Sequence, residues 1–227
     1  ESILVKNIEN KIFDKFDRII LFSKNEILKI NSKYKKKIFH INESIHRINK
    51  KYKYSSENYK VLFIGNLQYI PNILACKNFV KNVLPDLKKI IPNIEFNVIG
   101  NINPIDKFLL SFNQNLKILG PQKKLDRFIK KTICGLANLK IATGVQGKVL
   151  TYMSYGLPVI CSERTSLNFK KNIIVYKNNH DLINKINRLK IDGLQSKKFS
   201  ENSIRFIKKL KWKEISKNYS KVLLFNK

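Results

Sequence analysis

The chain has 227 residues, 43% of them hydrophobic, and 45 Lys and Arg against 16 Asp and Glu give a formal charge of +29. That apolar content suffices for the core of one large domain, or of one domain with a flanking piece. No run approaches the roughly 18 uninterrupted apolar residues of a membrane span, and no signal peptide opens the sequence, so a soluble cytosolic protein is expected. Because residue 1 is Glu rather than Met, the chain reads as a fragment, a processed product or a cropped sequence.

Cys76, Cys134 and Cys161 are odd in number and lack CxxC spacing, which argues against a disulfide framework and against a zinc site. Three small core residues are expected instead. His40, His46 and His180 form no ligand-like pair with an acid, so no metal is expected, and His40 and His46 are placed on a surface loop or helix. The charge would attract any polyanion at low salt. Yet Lys, Asn and Ile are spread over the whole chain, and the densest basic run, "KYKKK" at 33 to 37, lacks the aromatic interleaving of an RNA-stacking face. No zinc-finger, RNP or homeodomain pattern occurs, so specific nucleic-acid binding is not expected. Adhesion to an anionic membrane surface stays open, as does coding bias.

In chain order, residues 1–57 read as a helix, an apolar strand "RIILFS" at 18 to 23, a second helix near 24 to 31, and a basic stretch ending "KKYKYSSENYK" that reads as a linker. "KVLFIG" (60 to 65) then has the length and continuous apolarity of a buried parallel strand. Pro71 fits the first turn of a helix whose apolar residues recur at helical spacing as far as Pro85. The alternation repeats: "IEFNVIG" (94 to 100) as strand, "PIDKFLLSF" as helix, "LKILG" (116 to 120) as strand, "KKLDRFIKK" as helix, "ICGLA" (133 to 137) as strand. "LPVIC" (157 to 161) and "NIIVY" (172 to 176) follow as strands, then a helix from about 180 and basic helices to the end. This pattern predicts an α/β fold, a Rossmann-like doubly wound parallel sheet over 58–193, with helices over 194–227. Ligands in such sheets sit at the carboxyl ends of the strands, so Gly65, Gly100, Gly120 and the loop at 143 to 147 are expected along one rim.

Within "GVQGKVLTYMSYGLPVI" (144 to 160), Gly144 and Gly147 free the backbone just where a helix begins, with Lys148 beside them. The stretch is no P-loop, because Ala142 stands where that motif needs Gly and Val149 where it needs Ser or Thr. Two readings stay open from these residues: another kind of phosphate site, or a helix start with a solvated lysine. Glu163 with Arg164, after the next strand, reads as a solvated loop ion pair.

Four stretches, "FIGNLQYIPN", "LPDLKKIIPNIEFNVIG", "ILGPQKKLDRFIKK" and "GVQGKVLTYMSYGLPVI", occur in the order and at the intervals of the C-terminal half of group 1 (family four) GT-B glycosyltransferases. The pattern is most similar to the exosortase-associated bacterial sugar transferases and runs from about residue 16 to 216. "FDRIILFSKNE" resembles the end of their N-terminal domain, and Trp212 lies in a terminal helix of the kind that crosses back to it. The resemblance implies a metal-independent, retaining transfer from a nucleotide-diphosphate sugar donor, with no other cofactor, in building cell-envelope polysaccharide or glycolipid. It implies donor contacts at Gly65, Asn66, Gly120, Pro121, Thr143, Gly144, Val145, Gln146, Gly147, Lys148 and Thr151.

The same resemblance implies a further GT-B N-terminal domain carrying the acceptor site, of which only a remnant is present here. A lipid-linked acceptor and a place in the cytoplasm, peripheral to the inner face of the membrane, also follow from it. Lys148 and Gln146 stand at the family's lysine and glutamine positions, but Thr143 and Thr151, eight apart, replace two glutamates. Asn66 replaces an arginine, and Asn138 replaces the proline of close relatives. Threonine cannot accept two hydrogen bonds from a ribose diol as a carboxylate does. A degenerate or split module that only binds is therefore the alternative function, and a basic nucleic-acid-binding protein the second. No catalytic acid or base is assigned.

Overall fold

The runs that read as strands and helices do form them in the computed structural model of the chain, which describes residues 2–224. The chain divides into two compact units, one made of residues up to 46 together with those from 209 onward, the other Arg47–Lys208. The first unit opens with helix α1 (Ser2–Lys15), strand β1 (Ile19–Leu21), a single turn α2 (Lys24–Ile27) capped by the Ser23 hydroxyl, and strand β2 (Ile38–His40), which pairs parallel with β1. Tyr34, fully buried between them, sets its ring against Phe13 at 5.2 Å.

The second unit follows as β3 (Lys60–Ile64), α3 (Ile70–Asn82), α4 (Leu84–Ile90), β4 (Glu95–Ile99), α5 (Pro104–Ser111), β5 (Leu116–Ile118), α6 (Asp126–Ile129) and β6 (Thr132–Ala137). It continues through α7 (Gly147–Ser154), β7 (Val159–Ser162), α8 (Glu163–Ser166), β8 (Ile174–Tyr176), α9 (Asn179–Ile191) and α10 (Gly193–Lys208). The six strands make one parallel sheet in the order β5-β4-β3-β6-β7-β8. The chain walks outward from β3 to β5, returns to lay β6 on the other side of β3, and walks outward again. Strand order thus reverses between β3 and β6, and loops leaving those two neighbours diverge to opposite faces, opening a crevice at their carboxyl ends.

Every residue of β6 is buried, as a central strand covered on both faces requires. The core joins Val61 and Phe63 of β3 to Phe79 of α3, Phe96 of β4 and Leu136 of β6, with the Phe79 and Phe96 rings 4.3 Å apart. Cys76, Cys134 and Cys161 are free and fully buried in it, small core residues as expected. Helix α11 (Trp212–Leu224) belongs to the first unit, where the Arg18 guanidinium donates to the Val222 carbonyl and Ile45 N–H donates to Leu210 O at 2.8 Å. No helix of the described residues is long and apolar enough to cross a membrane.

Several expectations shift. The unit boundary falls at 46/47 rather than 57/58, because the stretch read as a linker is a strap on the sheet unit. Asn49 and Lys50 donate to Ser154 O, Tyr52 N–H donates to Tyr155 O, and the Tyr52 side chain is buried. The far boundary falls at 208/209 rather than 193/194, because α10 packs on α7 and its buried Ser203 donates to Leu157 O at 3.1 Å, and only α11 joins the first unit. The helix expected over 123 to 131 shrinks to the four residues of α6, and that near 24 to 31 to α2. His40 ends strand β2 instead of lying in a loop or helix, and burial lowers its pKa.

Candidate functional site

The carboxyl ends of β3, β4 and β5 are brought together by the glycines that follow them. A Cβ on Gly100, whose φ is +152°, would stand 1.9 Å from the Gly65 carbonyl oxygen, so the two loops touch backbone to backbone. Gly100 N–H donates to Gly120 O at 3.1 Å, and Gly120 turns with φ +62° before the exposed Pro121. Gly65, Gly100 and Gly120 therefore share one rim. Asn66 follows Gly65, exposed, its side chain closing an Asx turn by accepting from Gln68 N–H at 3.0 Å.

Across the crevice the loop after β6 carries the remaining expected residues. Gly144 takes φ +64°, and its carbonyl accepts from the Asn168 side chain at 2.8 Å, while the Gln146 amide folds back onto Thr143 O at 2.8 Å. With its side chain turned away, Gln146 gives α7 no side-chain cap, and the positive pole of an eight-residue helix is left open at Gly147 and Lys148. Val145 is half-buried, and a Cβ on Gly147 would meet nothing within 4 Å.

Lys148 points inward from that helix start. Its Nζ donates to Asn72 Oδ1 at 2.6 Å and lies 4.0 Å from the centroid of the Phe63 ring. A Cβ on Gly65 would come within 3.1 Å of the same nitrogen. The ammonium thus sits at the point where strand order reverses, and burial lowers its pKa from 10.5 to about 8. Cys76 and Cys161, whose thiols burial keeps protonated, are its other titratable neighbours. Thr151, one turn further along α7, donates its hydroxyl to Gly147 O at 3.0 Å. The threonine in the second glutamate's place is thereby engaged with its own helix.

Sequence reasoning missed two residues that build this site. Tyr152, fully buried, accepts from Ile64 N–H at 2.7 Å and donates to Leu136 O at 3.1 Å, tying α7 to the ends of both strands at the reversal. Asn72 joins Lys148 to the loop after β3. A cavity of about 740 Å³ opens on the other flank of α3, between Pro71, Leu74 and Lys81 and the ends of β6, β7 and β8 at Asn138, Ser162 and Tyr176. None of the expected donor contacts lines it. Glu163 and Arg164 do line it, exposed, with no ion pair between them among the described residues, contrary to the expected loop pair. Asn138 is buried there, donating to Ala75 O at 2.9 Å.

Comparison with known proteins gives this geometry its context. TarM of S. aureus superposes with a TM-score of 0.74 at 15% identity, over 94% of this chain and 45% of its own. Anabaena HepE, solved in complex with UDP and glucose, gives 0.77 at 12%, over 96% and 66%. WaaG, a glycosyltransferase involved in lipopolysaccharide biosynthesis, gives 0.63 at 9%, over 92% and 63%. The chain spans about half to two thirds of the length of these structures, and at such identities the likeness is one of fold. A search of curated proteins found no match. The family model of the glycosyl transferases group 1 matches residues 58–192, more than half of the chain and all six strands of the large sheet, and the chain belongs to that family of GT-B sugar transferases.

Proposed function

We propose that the crevice between β3 and β6 binds the diphosphate of a nucleotide-sugar donor, and that this chain is the donor-binding half of a sugar transferase. The observation that carries the reading is the Lys148 ammonium, held at the strand-order reversal beside the uncapped start of α7. When a sugar leaves a nucleotide diphosphate, negative charge grows on the departing phosphates, and a cation with the positive pole of a helix stabilises it. Lys148 would meet a phosphate oxygen while the Gly147 and Lys148 N–H groups bind the next. Gly147 supports this: no neighbour crowds it and its backbone is not left-handed, so the chain's own packing does not account for the missing side chain. Gly120 and Pro121 would border the base, and Gly65 and Asn66 the phosphates.

The family resemblance extends the proposal to a metal-independent, retaining transfer in cell-envelope polysaccharide or glycolipid synthesis, with the acceptor bound by a further N-terminal domain. WaaG's place in lipopolysaccharide biosynthesis supports the envelope role. The charge of +29 fits a protein that works in the cytoplasm against an anionic membrane surface bearing a lipid-linked acceptor. Thr151 favours a second reading. With its hydroxyl given to Gly147 O, α7 offers a ribose no carboxylate, as expected of a module that binds a nucleotide weakly and transfers nothing.

Calorimetric titration with UDP, GDP and ADP at moderate salt tests the proposal. One nucleotide should bind saturably, and Lys148→Ala should weaken it by about 1–3 kcal/mol, the value of a charge-assisted contact. Equal affinity in the variant removes Lys148 from the site. Binding of all three that vanishes with added salt leaves only a basic surface.

A further inference from the structure

Asn72 is buried in the first turn of α3, 7% exposed, and its carboxamide meets two groups of opposite polarity. Nδ2 donates to the Asn66 carbonyl at 2.8 Å, and Oδ1 accepts from Lys148 Nζ at 2.6 Å. A carbonyl only accepts and an ammonium only donates, so the partners fix which way the amide points. Aspartate, the isostere, would satisfy the lysine and set a carboxylate against the Asn66 carbonyl. Leucine would leave both groups unpaired. Gly65 leaves room for the arrangement, since a Cβ there would stand 2.9 Å from Asn72 Nδ2.

Resting on the donor-site reading, we propose that Asn72 is a positioning residue of this site, holding the Lys148 ammonium beside the loop after β3 while leaving its charge free for the donor diphosphate. A carboxylate in its place would hold the lysine equally well, but the ion pair would have to break before a phosphate could take it. A neutral amide anchors the cation without cancelling it. The groups facing Lys148 from the neighbouring elements agree with this: Cys76 of α3 and Cys161 of β7 are buried neutral thiols, and among the described residues no carboxylate pairs with the lysine. Asn72 contacts the lysine, not the reacting atoms, so its effect should be read at Lys148.

The experiment uses the full chain as wild type, Asn72→Asp and Asn72→Ala. Competitive acetylation with acetic anhydride, read by mass spectrometry without nucleotide, gives the pKa of the Lys148 amine. Calorimetry with UDP and GDP over pH of about 6.5 to 9.5 gives the affinity profile. In Asn72→Asp the Lys148 pKa should rise by about one unit or more. Affinity at neutral pH should fall about tenfold, and the loss of affinity at high pH should move to higher pH. In Asn72→Ala affinity should also fall, with no upward move of that limb. A side chain that only braces the loop would lower the unfolding midpoint and leave the Lys148 titration where it was. That unchanged titration in Asn72→Asp overturns the proposal whether or not a nucleotide binds. A shifted titration with no nucleotide bound by wild type overturns the donor reading, and with it the diphosphate as the reason for a neutral partner.

Discussion

Lys148 is the residue on which the site turns, and its chemistry follows from where it is kept. Removal from water lowers its pKa from 10.5 to about 8, so the proton it would need in the proposed role of binding a diphosphate is held loosely. Donor affinity should therefore be level below pH about 8 and fall as pH rises through it, by up to about tenfold per unit. The nucleotide's own phosphate is fully ionised over that range. Stability should move the other way. Between about 8 and 10.5 the unfolded chain binds a proton that the folded chain has lost, so this lysine's burial penalty, fully present below 8, is relieved as pH rises. Calorimetry beside urea midpoints over the same pH series would show the two trends crossing. Affinity independent of pH across that window would mean that the Lys148 charge plays no part in binding. The place of Lys148 at a helix start was legible in the sequence from the two glycines before it, and the family motif suggested the role proposed for it. Its partner was not, because Asn72 lies 76 residues away and nothing in local spacing joins them.

At the scale of elements, the six strands of the sheet unit were read correctly because each is a short run rich in apolar residues, as a parallel sheet covered on both faces demands. What failed were short or irregular pieces whose state is set by distant contacts. Strand β2 is three residues of half-buried chain with no alternation to detect, and the strap at 47 to 57 is polar yet anchored by Tyr52 and by backbone bonds to the end of α7. The placement of α7 was equally hidden. It depends on Gly135 in mid-β6, where a Cβ would stand 2.3 Å from Cγ of Tyr152, the ring whose phenol holds Ile64 and Leu136 from 88 and 16 residues away. Gly135→Ala should accordingly push that ring off both strands and cost about 1–3 kcal/mol as overpacking. Combined with Tyr152→Leu its cost should be much smaller than alone, since the two changes act on one contact. Denaturant midpoints of the four proteins measure this, and full additivity would show that the ring and the glycine do not compete for space.

For the whole molecule, the division into units carries the consequence. The buried cluster that supports the sheet runs from Val61 to Leu189, with Phe199 packed against it, and so lies wholly inside Arg47–Lys208. The strap that closes it, from Asn49 to Tyr52, is inside as well, as are Lys148 with every other expected donor contact, and Asn72. A fragment of residues 47–208 should therefore fold alone and unfold in one cooperative transition, as a domain of that size with its own core does. It should also keep any nucleotide affinity of the full chain, because the proposed site draws on no residue outside it. Far-UV and near-UV circular dichroism during thermal unfolding, followed by calorimetry with the preferred nucleotide, would decide the matter. A fragment that loses near-UV signal while keeping helix would show that the sheet unit needs the other unit for packing. One that folds but does not bind would place part of the donor site beyond residues 47–208. Salt separates the specific site from the charged surface in the same titrations: a few phosphate contacts in a half-buried crevice should survive added salt better than the diffuse attraction of a +29 chain for any polyanion.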